Sequence, residues 1–481
     1  MVRLAATWLH PDRARGPGTL DDVASPAVVE PNGVVMSGAE LDAAASRLAG
    51  SLRDRGVGHG DAVAWRASNR WPTLALYRAC WRLGAVAVPL HHQAGPVEIE
   101  TILARVEPTA IVDPDEVPML AAAGEPVPPG VAGPDDLAVV LHTSGSSGGP
   151  KGVLHTHAGL AAKARLMTSV HQLGPGDTIL MPAPMAHISG LQNGLTVAGA
   201  AGMTVVLMAR WDPEQALALI EAHGVTFMIG PPTFFVSLRH AAGFTSRRVR
   251  TIRLISCGGA GVTPTFVTDT AAAFGATVKR TYGSTEAPTV TTSHAGDDPE
   301  RARTTDGRPT GSVQLRLGPG GEVWVRGPEL FVGYTDPART AEAVGDGWFH
   351  TGDVGTLDAD GWLTIVGRIK DLIIRGGENI SAAEVEATLE AHPDVRLAVA
   401  VGEADERLGE RVCAFVVCAP DTTFDLDHSR AWFAERGLAR FKAPERIVPV
   451  DELPLLATGK IDRAALRTRA ASLAGSPSGA P

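Results

Sequence analysis

The chain has 481 residues with a formal net charge of -10, and 44% of its residues are hydrophobic while 20% are charged. This composition supports a large apolar core and excludes a globally disordered chain. It also lacks the basic excess typical of nucleic-acid-binding proteins, so nucleic acid is not expected as a partner.

The sequence carries no pattern typical of export or membrane insertion. Residues 1–11 lack an apolar region of signal-peptide length. The most apolar stretch, Leu195–Ala209, is interrupted by glycine and threonine and is too short to span a bilayer. The four cysteines form no C-x-x-C pair and no zinc spacing, which is typical of a reducing compartment. A cytoplasmic protein without a membrane span is therefore predicted.

Helical and strand-like patterns alternate from residue 38 to about residue 300. Apolar residues at helical spacing predict helices at Glu40–Arg55, Trp71–Leu83, Glu98–Val106, Pro213–His223 and Pro264–Phe274. Short apolar runs between them predict strands at Asp61–Trp65, Ala85–Pro89, Ala110–Asp113, Leu137–Leu141, Val153–His155, Thr178–Met181, Met203–Met208, Thr226–Ile229, Leu254–Cys257 and Thr277–Tyr282. The alternation predicts an α/β architecture with layered, largely parallel sheets.

The pattern changes near residue 310. Short segments with glycine turns predict a small barrel-like subdomain of antiparallel strands at Gln314–Gly318, Gly321–Arg326 and Gly361–Gly367. A smaller α+β unit follows, with helices and strands predicted at Ser381–Ala391, Val395–Val401, Glu410–Val417 and His428–Arg436. We therefore predict a large N-terminal domain, residues 1–368, and a small mobile C-terminal domain, residues 369–481.

A loop rich in glycine and hydroxyl groups follows the strand predicted at Leu137–Leu141. Its ten residues, Thr143–Gly152, comprise four glycines, three serines, one threonine, one proline and Lys151. Glycine lets the backbone approach a ligand closely, and hydroxyl, amide and ammonium groups suit a phosphate. The loop is not a Walker A motif, because Pro150 precedes Lys151 and Gly152 follows it. It offers no hydroxyl to Mg²⁺ at that position, so the metal is expected elsewhere.

Three later segments supply side chains suited to nucleotide chemistry. Arg280–Glu286 follows a strand and ends in a carboxylate that is a candidate Mg²⁺ ligand. Gly347–Asp353 ends in an aspartate suited to accept hydrogen bonds from both ribose hydroxyls. Ala457–Ile461 places Lys460 on a glycine-containing loop. Each segment taken alone is equally compatible with an ordinary turn.

In this order the segments resemble the adenylate-forming superfamily of acyl-CoA synthetases, freestanding adenylation enzymes and beetle luciferases. The similarity covers residues 35 to 470 and rests on Thr143–Gly152, Met185–His187, Ser256–Ala260, Tyr282–Glu286, Gly347–Asp353, Gly367–Asp371, Arg375–Ser381, Glu384–Glu386 and Thr458–Lys460. The resemblance implies a two-step ligation that uses ATP, Mg²⁺ and CoA. A carboxylate attacks the α-phosphate of ATP to give an acyl-adenylate and pyrophosphate. The C-terminal domain then rotates, and a thiol, usually that of CoA, attacks the adenylate.

The resemblance also implies roles for individual residues in ATP and AMP binding. The implied nucleotide-binding residues are Thr143, Ser144, Gly145, Ser146, Ser147, Lys151, Gly258, Gly259, Ala260, Tyr282, Gly283, Ser284, Thr285, Asp353 and Arg368. Among them, Asp353 and Arg368 would hold the ribose and Thr285 the α-phosphate, while Glu286 would hold Mg²⁺. Lys460 would bridge the carboxylate and the α-phosphate, and His187 completes the implied catalytic set.

The acid and CoA would occupy further sites that the resemblance implies. The acyl pocket would consist of His187, Ile188, Gln192, Phe234 and Gly258. Arg375, Gly376 and Gly377 would line the entry of the thiol, and Lys370 lies at the hinge position. Only six of the 43 basic residues are lysines. Lys151, Lys370 and Lys460 fall in motifs, whereas Lys163 and Lys279 are predicted to lie on the surface.

The residue after His187 bears on the identity of the acid. Amino-acid-activating relatives have aspartate at that position and dihydroxybenzoate-activating relatives have asparagine, so the apolar Ile188 argues against both substrates. Phe234 and Phe235 favour an apolar or ring-bearing acid, and alicyclic and medium-chain acids are preferred over benzoate-type acids. The predicted function is an AMP-forming acyl-CoA ligase.

Two alternatives remain open at this stage. One is an adenylating enzyme that passes the acid to a carrier-protein thiol, an amine or another nucleophile. The other is a nucleotide-binding regulatory protein without turnover, against which Lys460, Glu286 and Asp353 argue. A carrier protein and a second copy of the chain, forming a homodimer, stay open as partners.

Overall fold

The computed structural model describes residues 18–143, 150–376, 378–456 and 459–474, and its strands form four sheets within these ranges. The strands are β1 Ala27–Val29, β2 Val35–Met36, β3 Ala62–Ala67, β4 Val86–His91, β5 Ala110–Val112, β6 Leu137–Thr143, β7 Lys151–Thr156, β8 Thr178–Met181, β9 Thr204–Leu207, β10 Phe227–Gly230, β11 Leu254–Gly258, β12 Thr277–Tyr282, β13 Thr291–Thr292, β14 Arg308–Pro309, β15 Gln314–Leu317, β16 Glu322–Arg326, β17 Gly333–Tyr334, β18 Val344–Gly345, β19 Trp348–Leu357, β20 Leu363–Arg368, β21 Leu372–Arg375, β22 Glu378–Ser381, β23 Val395–Asp405, β24 Gly409–Cys418 and β25 Arg446–Pro449.

Helices separate most of these strands. They are α1 Gly38–Asp54, α2 Trp71–Leu83, α3 Pro96–Val106, α4 Val117–Ala123, α5 His157–His171, α6 Ile188–Leu191, α7 Ala198–Ala201, α8 Pro213–His223, α9 Pro232–Arg239, α10 Pro264–Phe274, α11 Pro299–Thr304, α12 Pro337–Ala343, α13 Ala382–Glu390, α14 Leu426–Glu435 and α15 Arg463–Ala474. A π-helical segment, Gln192–Val197, joins α6 to α7. Helix α1 begins with a capping box, in which Ser37 and Glu40 exchange hydrogen bonds and satisfy backbone N–H groups of the first turn.

Two large sheets form the body of the N-terminal part. One has the strand order β14-β13-β12-β11-β10-β8-β9-β1-β2, and the other has the order β17-β7-β6-β4-β3-β5. Strands β8 to β12 are parallel to one another in the first sheet, as the βα alternation predicts, whereas β13 pairs with β12 in the antiparallel sense. The largest buried apolar cluster joins both sheets to α1 and α2, with Leu41, Trp65, Trp81 and Ile179 among its members.

Two smaller antiparallel sheets follow. Strands β15, β16, β18, β19 and β20 form the third sheet, where the sequence predicts a small barrel-like subdomain. Strands β21 to β25 form the fourth, in which β25 lies parallel to β24 and the other pairs are antiparallel. In the described part of the chain, every strand from Leu372 onward pairs only within this last sheet. That pairing is compatible with the predicted boundary after residue 368, which stays a prediction.

Candidate active site

An open cleft lies where four parallel strands end. The carboxyl ends of β8, β10, β11 and β12 meet at one edge of the large sheet, the position at which open α/β sheets bind ligands. The cleft measures about 800 Å³ when the solvent at its mouth is included. Its lining comprises Ala183, Pro184, His187, Ile188, Ser189, Gln192, Asn193, Ile229, Gly230, Pro231, Gly258, Gly259, Thr281, Gly283, Ser284, Thr285, Pro288, Thr289 and Lys460.

His187 stands at the start of α6 and forms part of one wall. Its Nδ1 accepts a hydrogen bond of 3.2 Å from the backbone N–H of Ser189, so the proton of the neutral ring is on Nε2. Burial, together with the positive charge of Lys460, lowers the pKa of His187 to about 3. The imidazole is therefore neutral at physiological pH and offers an N–H donor rather than a cation.

Glycines form the floor of the cleft because side chains would collide there. A Cβ on Gly258 would lie 2.0 Å from the carbonyl oxygen of Thr281, and a Cβ on Gly283 would lie 2.5 Å from the backbone nitrogen of Thr289. Gly259 has a φ of 77°, in the left-handed region that favours glycine. The backbone of the two strand ends is thereby left accessible to a ligand.

Lys460 lies between β25 and α15, in the C-terminal part of the chain, and its side chain extends to Gly259 at this floor. Its Cε lies 2.9 Å from the position of a Cβ on Gly259. The loop is closed by an antiparallel bridge between Leu455 and Ile461, and Thr233 Oγ1 donates a hydrogen bond of 2.5 Å to the carbonyl of Gly459. Burial lowers the pKa of Lys460, and the cation of Arg368 acts in the same direction. The carboxylates of Asp353 and Glu286 oppose this shift and favour the ammonium form.

Three of the predicted nucleotide-binding residues form one hydrogen-bonded group. The hydroxyl of Tyr282 donates to Asp353 Oδ2 at 2.7 Å, and Arg368 Nε donates to Asp353 Oδ1 at 2.5 Å. Asp353 and Arg368 lie opposite each other on the paired strands β19 and β20, which fixes their approach. Burial and the carboxylate of Asp353 raise the pKa of Tyr282, so its hydroxyl remains a donor.

Glu286 belongs to a second group that includes a residue the sequence did not single out. Strand β17 pairs with β7, which begins at Lys151, and places Tyr334 opposite Val153. The Tyr334 hydroxyl donates to Glu286 Oε1 at 2.8 Å, and Lys151 Nζ lies 5.4 Å from the centre of the Tyr334 ring. The pairing of β7 with β17 joins segments far apart in the chain, so the sequence around Tyr334 does not predict its contact with the site.

The acidic residues present fit Mg²⁺ delivered with a nucleotide. Among the described residues, no group of three or more histidines, cysteines, aspartates or glutamates could hold a metal ion alone. Mg²⁺ commonly takes one or two protein carboxylates and completes its shell with water and phosphate oxygens. A single carboxylate at Glu286 matches that pattern.

His155 is a further residue that local sequence did not identify as functional. Its Nε2 donates a hydrogen bond of 2.8 Å to the carbonyl of Thr285, which lies 130 positions further along the chain. The ring is fully buried, and burial lowers the pKa of His155 to about 4. A neutral imidazole thus fixes the turn that carries Thr285 and Glu286.

Several predicted site residues lie away from the cleft or outside the described part. Phe234 is buried and stacks on Trp211 with ring centres 4.3 Å apart, and it packs beneath Gly459 rather than lining the cleft. Arg375, the last residue of β21, donates a hydrogen bond of 2.5 Å to Glu445, the residue before β25. The predicted site residues Ala260, Lys370 and Gly376 are exposed and do not line the cleft. Thr143 ends β6 opposite Lys151. Outside the described residues lie Ser144, Gly145, Ser146, Ser147 and Gly377.

The prediction that Lys163 and Lys279 lie on the surface is wrong. Lys163 is 0% exposed, and its Nζ donates to the carbonyl of Thr289 at 3.1 Å and to Thr310 Oγ1 at 3.0 Å. Lys279 is also buried and donates to the carbonyl of Val170 at 3.0 Å. Acceptors from distant segments replace the water that a lysine normally requires. Lys163 thereby supports, from behind, a residue of the cleft lining.

Two family models match the chain. The model described as AMP-binding enzyme matches residues 21–335, and the AMP-binding enzyme C-terminal domain matches residues 384–460. The chain belongs to the AMP-binding enzyme family. The resemblance to adenylate-forming enzymes that the motifs indicate is therefore confirmed.

Named relatives of this AMP-binding enzyme are CoA ligases. It is 33% identical to the medium-chain fatty-acid–CoA ligase of Escherichia coli (strain K12), over 92% of this chain and 87% of the relative. It is 34% identical to a feruloyl-CoA synthase of an Amycolatopsis species, over 92% of this chain and 95% of the relative. This sequence similarity, together with the family match, confirms the predicted class of activity, AMP-forming acid–thiol ligation.

A solved structure shares the fold of this AMP-binding enzyme. The crystal structure of ATP-bound MatB from Rhodopseudomonas palustris superposes with a TM-score of 0.85 at 29% identity, covering 95% of this chain and 97% of that one. This confirms the predicted α/β fold with a large N-terminal and a small C-terminal part. Among the helices in the described ranges, none has the length and apolarity needed to cross a bilayer.

Proposed function

We propose that this AMP-binding enzyme ligates an apolar carboxylic acid to CoA through an acyl-adenylate, releasing AMP and pyrophosphate. The observation that carries the proposal is the position of Lys460. Lys460 is the only lysine, arginine, aspartate or glutamate among the described residues that line the cleft, and it lies between the nucleotide-side carboxylates and the wall that begins at His187. One cation at the junction of two anionic reactants is what adenylate formation requires.

In the first half-reaction, a carboxylate oxygen of the acid bonds to the α-phosphorus of ATP. The bond between that phosphorus and the oxygen bridging the α- and β-phosphates breaks, and pyrophosphate leaves. Lys460 holds both anions at the floor formed by Gly258 and Gly259, which lets the reacting groups approach the backbone. Asp353, held by Tyr282 and Arg368, accepts the ribose hydroxyls. Mg²⁺ bound with ATP would neutralise phosphate charge, and Glu286, oriented by Tyr334, would hold it.

The lining of the cleft supports an apolar acid. Ile188, Ile229 and Pro231 present hydrocarbon surface, and no second cation of the described lining is available for a dicarboxylate. The substrates named for the two relatives, a medium-chain fatty acid and ferulate, are also largely apolar acids. We therefore assign the cleft beyond His187 to a medium-chain, alicyclic or aromatic acid.

The second half-reaction requires another arrangement of the C-terminal part. Lys460 occupies the cleft in this structure, whereas Arg375 and Gly376 lie away from it. Rotation near Lys370 would withdraw Lys460 and bring the segment around Gly376 to the adenylate. The CoA thiol would then attack the acyl carbon, and AMP would leave.

The test is ATP–pyrophosphate exchange over a panel of aliphatic, alicyclic and aromatic acids, followed by AMP release with and without CoA. We expect exchange with at least one apolar acid, and AMP release that rises on adding CoA with formation of the acyl-CoA mass. Exchange with none of the acids would contradict adenylation. Exchange without any rise on adding CoA would contradict CoA as the acceptor and favour a carrier-protein thiol or an amine.

A further inference from the structure

One side-chain amide in the wall of the cleft that begins at His187 has no hydrogen-bond partner among the described residues. Gln192 lines the cleft and is 3% exposed, yet its Oε1 and Nε2 are both buried without a partner among the described residues. The neighbouring Asn193 differs, because its Nδ2 donates to the carbonyl of Ser189 at 2.9 Å. A buried amide without partners has given up its hydrogen bonds to water and gained none in return, so such groups are normally satisfied.

The backbone holds the Gln192 side chain at this wall. Gln192 lies four residues after Ile188, so both side chains fall on the same helical face toward the cleft. It opens the π-helical segment Gln192–Val197, and Thr196 Oγ1 donates to the Gln192 carbonyl at 2.9 Å. π-helical turns are rare in proteins and occur frequently at functional sites.

We propose that the Gln192 amide is a specificity group that binds a neutral carbonyl or hydroxyl oxygen on the otherwise apolar body of the acid. This inference rests on the proposed function and narrows its substrate class. The amide can donate to a carbonyl through Nε2, and it can accept from a hydroxyl through Oε1. A charged group is disfavoured there because Lys460, the one charged residue of the described lining, serves the reacting carboxylate.

The proposal predicts a preference that an apolar wall cannot produce. A site with an amide committed to a substrate oxygen leaves that amide unpaired when the oxygen is missing, whereas one extra oxygen in a purely apolar wall is only tolerated or rejected. The keto or hydroxy acid should therefore exceed its unsubstituted analogue at least about tenfold in kcat/KM.

The experiment compares matched acids in the exchange reaction of the full-length enzyme. The pairs are oxo-substituted and unsubstituted cyclohexylpropanoates, hydroxylated and unsubstituted phenylpropanoates, and keto-substituted and unsubstituted octanoates. They are assayed with the wild type, with Gln192→Met, which preserves side-chain length, and with Gln192→Asn, which withdraws the amide by one methylene. Thermal unfolding of each variant checks that the fold is retained.

We expect the wild type to prefer the oxygenated acid in at least one pair, and Gln192→Met to abolish or reverse that preference while still activating the unsubstituted acid. Exchange with both acids at equal kcat/KM in every pair would contradict the inference alone. A Gln192→Met variant that keeps the wild-type ratio would contradict it as well. If the variants do not fold, the wild-type ratios decide. Exchange with no acid at all would contradict the proposed function and, with it, this inference.

Discussion

Lys163 illustrates at the scale of one residue how burial changes the chemistry of a side chain. Burial lowers the pKa of its ammonium to about 8 from the ordinary 10.5, although Glu329 opposes the shift. Between these two values the unfolded chain binds the proton more strongly than the folded chain does. The free energy of unfolding therefore decreases as the pH falls from 10.5 to about 8, because the amine takes up a proton in the unfolded chain and not in the folded one. Above pH 10.5 Lys163 is neutral in both states and this loss of stability is absent.

This sign yields a test with Lys163→Met. Between about pH 8 and pH 10.5 the wild type should gain stability relative to the variant, by at most about 3 kcal/mol. The measurement is the difference between the two urea midpoints at several pH values across that interval, with Lys370→Met as the control for an exposed lysine. Parallel pH profiles for the wild type and Lys163→Met would contradict the buried, shifted state.

The site residues that lie in local motifs could be predicted from the sequence, whereas their partners from distant segments could not. Glu286, Asp353 and Lys460 could be predicted from the sequence because each lies in a short motif that combines glycine with a charged residue. Their partners could not: Tyr334 and His155 reach Glu286 and Thr285 through pairing across the fold. The wrong placement of Lys163 has the same origin, since its acceptors Thr289 and Thr310 lie 126 and 147 positions away.

At the scale of elements, the loop that carries Lys460 depends on a glycine. Gly459 has a φ of 78°, and a Cβ there would lie 2.2 Å from the Phe234 ring. Gly459→Ala should displace the loop and lower the kcat/KM of adenylation at least about tenfold, while thiolysis of a supplied acyl-adenylate changes little. Both half-reactions are measured separately on the purified variant.

Gly437 offers a matched control for that substitution. It has a φ of 66°, and no atom lies within 4 Å of the position that a Cβ would take, so alanine there meets the backbone strain without the collision. Gly437→Ala should lose about 1 kcal/mol of stability and keep both half-reactions. Equal loss of adenylation in the two variants would mean that backbone strain, rather than contact with Phe234, accounts for the effect.

Elements with a clear period were predictable, whereas those without one were not. Helices α2, α8 and α10 and strands β8 and β12 have the predicted bounds. Helix α5 was not predicted because its buried positions include His157, Lys163 and His171, which hide the apolar period. Helix α9 begins at Pro232 after another proline, a pair that reads as a turn although proline favours the first helical turn.

For the whole molecule, the two proposed half-reactions require the C-terminal part to take two positions. Lys370 lies in a short 3₁₀ helix between β20 and β21, next to the ion pair of Asp371 with Arg467. Lys370→Pro fixes one φ angle near the helical value. We expect it to keep adenylation within about threefold and to slow thioester formation at least about tenfold.

Lys370→Ala, which leaves φ free, is the control for loss of the ammonium. It should retain both half-reactions within about threefold if rotation matters more than charge. Stopped-flow measurement of acyl-CoA formation from preformed enzyme-bound adenylate separates the second step from the first. A uniform fall of both steps in Lys370→Pro would count against a hinge at this position.

In the proposed reaction, Lys460 of the C-terminal part promotes adenylate formation in a cleft of the N-terminal part. The most direct measurement is the rate of both half-reactions in Lys460→Ala, beside Lys442→Ala, which removes an ammonium paired with Glu384 at 2.6 Å. We expect Lys460→Ala to lower adenylate formation at least about a hundredfold and to leave thiolysis of a supplied acyl-adenylate within about threefold, while Lys442→Ala should change neither rate by more than about threefold. Equal loss in both half-reactions of Lys460→Ala, or no loss of adenylation, would contradict this role of Lys460.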